Sequence, residues 1–232
     1  MNINLSLENI LLLNPINLKM NPIIFTVEGN IGSGKSTFLK SFKFPENIQI
    51  LQEPVDEWFK IKDENEHSLF ELFYNDPKKY SYLFQTYIFY TRFNKLKTFN
   101  EKTIVVCERS ILTDYNVFIK SLYETKDLSK LEYEIFGLWF NMILDVSKFK
   151  LKGVIYIQTS PTTCMERIKH RNRDGEKNIS KEYLELLHDK HENWLTRSDL
   201  DYKLFVINGE KDINDIVNDN VTINNIINFI NN

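Results

Sequence analysis

The sequence predicts an α/β fold: a doubly wound, five-stranded parallel sheet flanked by helices. Three observations carry this. Five short runs are apolar and β-branched rather than alternating, as strands buried on both faces must be. Helix-length segments separate the runs. A glycine-rich loop, Gly29-Asn30-Ile31-Gly32-Ser33-Gly34-Lys35-Ser36 followed by Thr37, joins the first run to a helix. The runs span 23–27, 48–51, 103–107, 153–157 and 203–207. A helix over 35–42 follows the first strand, and an aromatic-rich helix is expected over 77–99. Another covers 132–147. Ser160 as N-cap and Pro161 at the first helical position open one running to Arg171. An amphipathic helix over 181–197 precedes the last strand.

The 232 residues are 42% hydrophobic, 13% aromatic and 26% charged, which suits one compact domain over 21–232 with ample core. The formal net charge of −3 lacks the basic excess that neutralises phosphate backbones, so nucleic acid is not an expected partner. Residues 1–20 read as a poorly ordered N-terminal extension. Their apolar run Ile10-Leu11-Leu12-Leu13 is too short to span a bilayer and lacks the flanks of a targeting signal, so no membrane association is expected. Cys107 and Cys164 are far apart in segments that read as buried, with no metal-ligand spacing. Nothing requires an oxidising compartment, and a cytoplasmic location is expected. The Asn- and Ile-rich tail reads as a coding bias, not a separate domain.

The glycine-rich loop has the phosphate-binding spacing in its proper context, between a strand and a helix. Its glycines let backbone N–H groups curl round phosphates, and the helix start adds partial positive charge. Lys35 is expected on the β- and γ-phosphates of ATP and Ser36 on Mg²⁺. In such folds ligands lie beyond the carboxyl ends of the strands. The second strand runs into Glu53-Pro54 and the third into Glu108-Arg109-Ser110, so these groups should converge beside the loop. One carboxylate there can orient an attacking hydroxyl, a second can hold Mg²⁺, and the arginine can neutralise the transferring group. Arg167, Arg171 and Arg173 run from a helix into a polar loop with Gly175 and Glu176, suited to closing over phosphates. Gln85 and Arg92 are polar positions on one face of an aromatic helix and need buried partners; a nucleobase edge would supply them.

Taken together these segments resemble the deoxyribonucleoside kinases of the deoxycytidine/deoxyguanosine kinase type, from Ile23 to Ile207. The matching pieces are Glu28-Gly29-Asn30-Ile31 with Gly34-Lys35-Ser36-Thr37-Phe38, Glu53-Pro54-Val55 with Trp58, and Phe84-Gln85-Thr86-Tyr87. Glu108-Arg109-Ser110, Leu122-Tyr123-Glu124 and Lys190-His191-Glu192 with Trp194-Leu195 complete them. The resemblance implies a P-loop kinase fold with an Arg-rich lid, ATP as donor, Mg²⁺, a deoxynucleoside acceptor and a homodimer. It implies that Glu53 takes the 5′-hydroxyl proton, that Arg109 holds that carboxylate and the phosphoryl group, and that Glu108 sits by Mg²⁺ or acts as the base. Tyr74 and Glu176 would grip the sugar 3′-hydroxyl and Gln85 the base edge, with Trp58, Phe84 and Phe118 packing the ring. Arg167 would lie on the adenine of ATP, near the loop Asn208 to Lys211, with Arg171 and Arg173 on its phosphates. Arg92 and Asp114 match members that use deoxycytidine and purine deoxynucleosides, whereas thymidine users carry apolar residues there. A rigid Arg–Asp pair also disfavours the thymine methyl on physical grounds. Ile88, Leu112 and Tyr115-Asn116 depart from the usual pattern. The runner-up readings are a nucleoside monophosphate kinase of the thymidylate kinase kind and a nucleotide-binding module without chemistry.

Overall fold

Strand β1, Ile23–Glu28, is shielded from solvent from its second residue onward, and the rest of the sheet is laid down around it. A computed structural model of the chain describes residues 22–99, 103–147, 150–173 and 175–232; the expected N-terminal extension lies outside them. The other strands are β2 (Ile48–Leu51), β3 (Ile104–Glu108), β4 (Leu151–Gln158) and β5 (Lys203–Asn208). They form one parallel five-stranded sheet in the order β2-β3-β1-β4-β5. All five expected strands are present, with β4 starting two residues earlier.

The helices are α1 (Lys35–Ser41), α2 (Leu69–Asn75), α3 (Pro77–Leu96), α4 (Lys130–Ser147), α5 (Pro161–Arg171), α6 (Lys181–Leu195), α7 (Ile213–Asn218) and α8 (Asn220–Asn231). One sheet face packs Phe25, Val27, Val106, Ile155 and Ile157 against Phe38 and Leu39 of α1 and the isoleucines of α7 and α8. The other packs Ile24, Val105, Val154 and Tyr156 against Ile168 of α5 and Leu184, Leu187 and Leu195 of α6. Each such fully buried aliphatic or aromatic side chain contributes about 1.5–3 kcal/mol. A third cluster, with Trp58, Phe70, Phe73, Phe84, Phe89 and Phe136, gathers α2, α3 and α4 and carries the aromatics expected on the long helix.

Local chemistry starts these helices where the sequence says it should. Ser160 Oγ accepts from Thr163 N at 3.2 Å and Pro161 follows, opening α5. Helix α2 was not expected, yet Ser68 and Glu71 form a capping box at its start. Helices α3 and α6 stop at Leu96 and Leu195, short of their expected ends. The Asn-rich tail forms α8, part of the same domain, seating Ile226 and Ile230 in the core, with the Phe229 ring 5.7 Å from that of Phe25. Between β3 and α4 a helical run passes through Ile111–Thr113, a π-helical stretch Asp114–Ile119 and Lys120–Glu124. No helix among the described residues is long and apolar enough to cross a membrane.

Candidate active site

The glycine-rich loop leaves β1 and turns back over its carboxyl end into α1. Gly34 stands at φ 100° as the N-cap, so the loop enters the helix in a left-handed conformation that a side chain would strain. A Cβ on Gly32 would meet the Cys164 carbonyl at 2.5 Å, so glycine also lets the loop lie on α5. Asn30 is turned inward, its amide donating to Leu184 O at 2.8 Å, and its Oδ1 accepts from Ile31 N. Lys35 is buried and donates to Asn30 O at 2.6 Å, with Ser33 Oγ at 3.4 Å. Burial, and then the charge of Arg109, pull its ammonium down to about 7. Arg167 ties this loop to the last strand's exit, donating to Ser33 O at 3.1 Å and Lys211 O at 3.2 Å.

The expected strand-end residues do converge. Glu53 lies between two arginines, accepting from Arg109 Nη1 at 2.7 Å and Arg92 Nη2 at 2.9 Å. Burial works against its charge, but Arg109 and then Arg92 outweigh it and bring the carboxyl down to about 2. Stability tied to this ionised carboxylate is therefore present above about 4.5 and lost as pH falls toward 2. Glu108 accepts from Ser36 Oγ at 2.5 Å and from Glu53 N at 3.4 Å, bringing a hydroxyl and a carboxylate together at the start of α1. Arg109 packs its guanidinium 5.0 Å from the Phe118 ring centre.

Arg92 joins this centre to the pocket beyond it. Its Nε and Nη2 donate to both oxygens of Asp114, at 3.0 and 3.1 Å, and Nη1 donates to Glu108 O at 2.8 Å. Burial opposes its charge, yet Asp114 and Glu53 raise its pKa. Gln85 is 1% exposed and its Oε1 has no partner, an acceptor aimed where a donor is required. Phe84, stacked 4.7 Å from Phe73, and Trp58, whose Nε1 donates to Thr91 Oγ1 at 3.1 Å, wall the pocket. Tyr74 is partly buried, and desolvation followed by the charges of Tyr183 and Glu176 hold its hydroxyl in the neutral form.

The lid arginines are paired with each other's carboxylate partner. Glu176, 4% exposed, accepts from Arg171 Nε and Nη2 at 3.1 and 2.6 Å and from Arg173 Nη1 at 3.1 Å. A single cleft of about 640 Å³ runs from Gly32, Gly34, Lys35, Ser36 and Thr37 past Glu53, Glu108 and Arg109 to Gln85, Arg92 and Asp114.

A model of the deoxynucleoside kinase family matches residues 25–232. The chain belongs to the deoxynucleoside kinase family. Among its relatives, thymidine kinase 2 (mitochondrial) of Homo sapiens is 33% identical over 177 residues, covering 76% of this chain and 66% of the relative. Deoxyguanosine kinase (mitochondrial) of Xenopus laevis is 35% identical over 193 residues, 74% of this chain and 72% of the relative. Deoxycytidine kinase of Homo sapiens is 33% identical over 192 residues, 73% of this chain and 74% of the relative.

Within this deoxynucleoside kinase frame, the cleft brings together Trp58, Tyr74, Phe84, Gln85, Arg92, Asp114, Phe118, Arg167, Arg171, Arg173 and Glu176 with the strand-end group. Three expected loop positions do not line the cleft: Gly29, Asn30, whose side chain anchors α6, and Ser33, which is buried against Lys35. Of the stretch after β5, Asp212, Ile213 and Asn214 line the cleft in place of Asn208 to Lys211, and Lys211 reaches Arg167 through its carbonyl. Phe70, Phe73, His170 and Tyr183 also line it and were not expected. Phe70 and Phe73 sit on α2, whose capping box was the available signal.

Proposed function

We propose that this deoxynucleoside kinase transfers the γ-phosphate of ATP to the 5′-hydroxyl of a deoxyribonucleoside in nucleotide salvage. Deoxycytidine and purine deoxynucleosides are favoured over thymidine. The observation that carries the reading is Glu53, which stands at the junction of the cleft, with the phosphate loop on one side and Gln85, Arg92 and Asp114 on the other. A hydroxyl presented there meets an oriented, ionised acceptor beside a cation.

The residues divide the work. The loop backbone from Gly29 to Gly34 and the start of α1 at Ser36 and Thr37 cradle phosphates, and Lys35 leaves Asn30 O for their oxygens. Glu53 receives the hydroxyl's hydrogen bond and takes its proton as the new O–P bond forms and the bond from the γ-phosphorus to the departing ADP oxygen breaks. Arg109 shares its charge between Glu53 and the passing phosphoryl group. Ser36 and Glu108 are hard oxygen donors already in contact and fit Mg²⁺, which when bound neutralises charge on the phosphates. Arg171 and Arg173 close on the donor from the lid, and Arg167, between Ser33 O and Lys211 O, marks the adenine side. Tyr74 and Glu176 are placed for the sugar; Gln85 for the base edge, between Phe84, Trp58 and Phe118.

The base preference rests on the Arg92–Asp114 pair, since the relatives at similar identity include a thymidine kinase as well as deoxycytidine and deoxyguanosine kinases. A kcat/KM panel over the four deoxynucleosides and their monophosphates, with ATP and other donors, tests the whole reading. Turnover of free nucleosides is expected, and activity confined to monophosphates would establish the thymidylate kinase-like alternative. Binding of both ligands without turnover would establish the non-catalytic one.

The homodimer and the cytoplasmic location belong to the same reading. The exposed residues Leu131, Ile135, Leu138, Trp139 and Met142 form one stripe along α4, and Leu83 and Tyr90 are exposed on α3. A second copy of the chain covers this stripe in the proposed dimer. Trp139→Glu with Leu138→Glu is expected to halve the mass in light scattering without lowering the thermal midpoint of the monomer fold. An unchanged mass places the contact elsewhere. For the location, Cys107 and Cys164 are buried free thiols, as a reducing compartment permits.

A further inference from the structure

Glu28 is the last residue of β1 and is wholly buried, a carboxyl at the end of an otherwise neutral strand. In the sheet register Val27 pairs with Glu108, so Glu28 points to the opposite face from the Ser36–Glu108 contact. Both of its oxygens accept from Thr113 Oγ1, each at 2.8 Å, and Oε1 lies 3.5 Å from Ser110 Oγ. Thr113 Oγ1 in turn accepts from Ser110 N at 3.0 Å, and Ser110 Oγ accepts from Leu112 N at 3.2 Å. The carboxyl therefore closes the turn that leaves β3.

Its neighbours grip the residue at the head of that turn. Val27 O accepts from Arg109 N at 3.1 Å, and Gly29 O accepts from Arg109 Nη2 at 3.3 Å. Arg109 itself sits at φ 60°, a left-handed conformation that a side-chain-bearing residue keeps only when its surroundings impose it. Three consecutive residues at the end of β1 impose it here. We infer that Glu28 is a positioning residue: through Thr113 it latches the turn that presents Arg109 to Glu53 onto the strand that feeds the phosphate loop. The inference rests on the proposed function, in which Arg109 and Glu53 act in the transfer.

Burial pushes the Glu28 carboxyl up to about 7, against the pull of Thr113, Arg109, Thr26 and Arg92. Cys107 on β3 and Tyr202 ahead of β5 also feel its charge, and Tyr156 of β4 is its register partner. Because the folded value lies above the ordinary one, the stability this group confers is full below about 4.5 and is lost as pH rises through about 7.

The test compares Thr113→Val, which removes the hydroxyl at nearly equal volume, with Thr113→Ser, which restores it. Thr113→Val is expected to lower kcat about tenfold, with KM for ATP within about twofold of the parent, because the phosphate loop is untouched. Thr113→Ser is expected to recover at least about half of the parent kcat. An unchanged kcat in Thr113→Val, or no recovery in Thr113→Ser, overturns the latch; Thr113→Ala serves if the valine variant does not fold. A second arm needs no turnover: thermal midpoints from pH 5 to 9. Between pH 5 and 7 the parent should lose stability relative to Glu28→Gln, and Thr113→Val should lose more than the parent because the carboxylate has lost its donor. Parallel curves for the parent and Thr113→Val overturn the contact. A parent that phosphorylates no deoxynucleoside refutes the functional reading instead, and the thermal arm then decides the latch alone.

Discussion

Glu53→Gln is expected to lower kcat by about 10²-fold or more while ATP and nucleoside still bind, the usual scale for removing a general base. The amide keeps the size of the carboxylate and one acceptor for Arg92 or Arg109, so the pocket walls stay in place. What is lost is the charge that draws the hydroxyl proton and balances two buried guanidinium groups. With its carboxyl held near 2, Glu53 is ionised throughout the working range. Its own titration therefore puts no acid limb on the rate between pH 5 and 8. Single-turnover rates and equilibrium binding of each ligand check the outcome. An unchanged kcat removes Glu53 from the mechanism.

Arg92→Leu should be the most damaging single change to stability. It strands Asp114, 1% exposed, and takes one of two cations from Glu53. Breaking a buried ionic network from one side costs about 3–5 kcal/mol, because the remaining charge has no compensation. For a chain of this size that corresponds to a fall of roughly 6–20 °C in thermal midpoint. Adding Asp114→Ala removes the stranded charge and is expected to recover most of the loss, leaving Glu53 paired with Arg109. The double variant should also raise kcat/KM for thymidine relative to deoxycytidine and the purine nucleosides. Scanning calorimetry and the substrate panel read the two effects separately. If the ratios across the bases stay put, the pair is structural.

The strands were legible because a parallel sheet buried on both faces leaves a signature that needs no partner to be seen: 23–27 and 153–157 are almost wholly apolar. From their ends, the convergence of Glu53, Glu108 and Arg109 followed by rule. Helix α8 was hidden by its composition. Its asparagines are poor helix formers, and the pattern Ile223, Ile226, Ile227, Ile230 was masked by them. The π-helical stretch Asp114–Ile119 matches no simple period, although it carries both Asp114 and Phe118 into the cleft. The double duty of Arg92 was illegible for another reason: its bonds to Asp114 and Glu53 join three separate elements, a matter of distance and not of pattern. Glu28 did leave a signal, a carboxylate closing a buried apolar strand. Its partner Thr113 could be found only in three dimensions.

The strand order has a consequence for how the chain is made. Strand β1 emerges first from the ribosome, yet both of its neighbours come much later, β3 ending at Glu108 and β4 at Gln158. Until then the glycine-rich loop has no frame to hold its shape, and an apolar strand waits unpaired. Nascent chains released before Gln158 are therefore expected to hold no nucleotide, and to be the stage at which chaperones matter most.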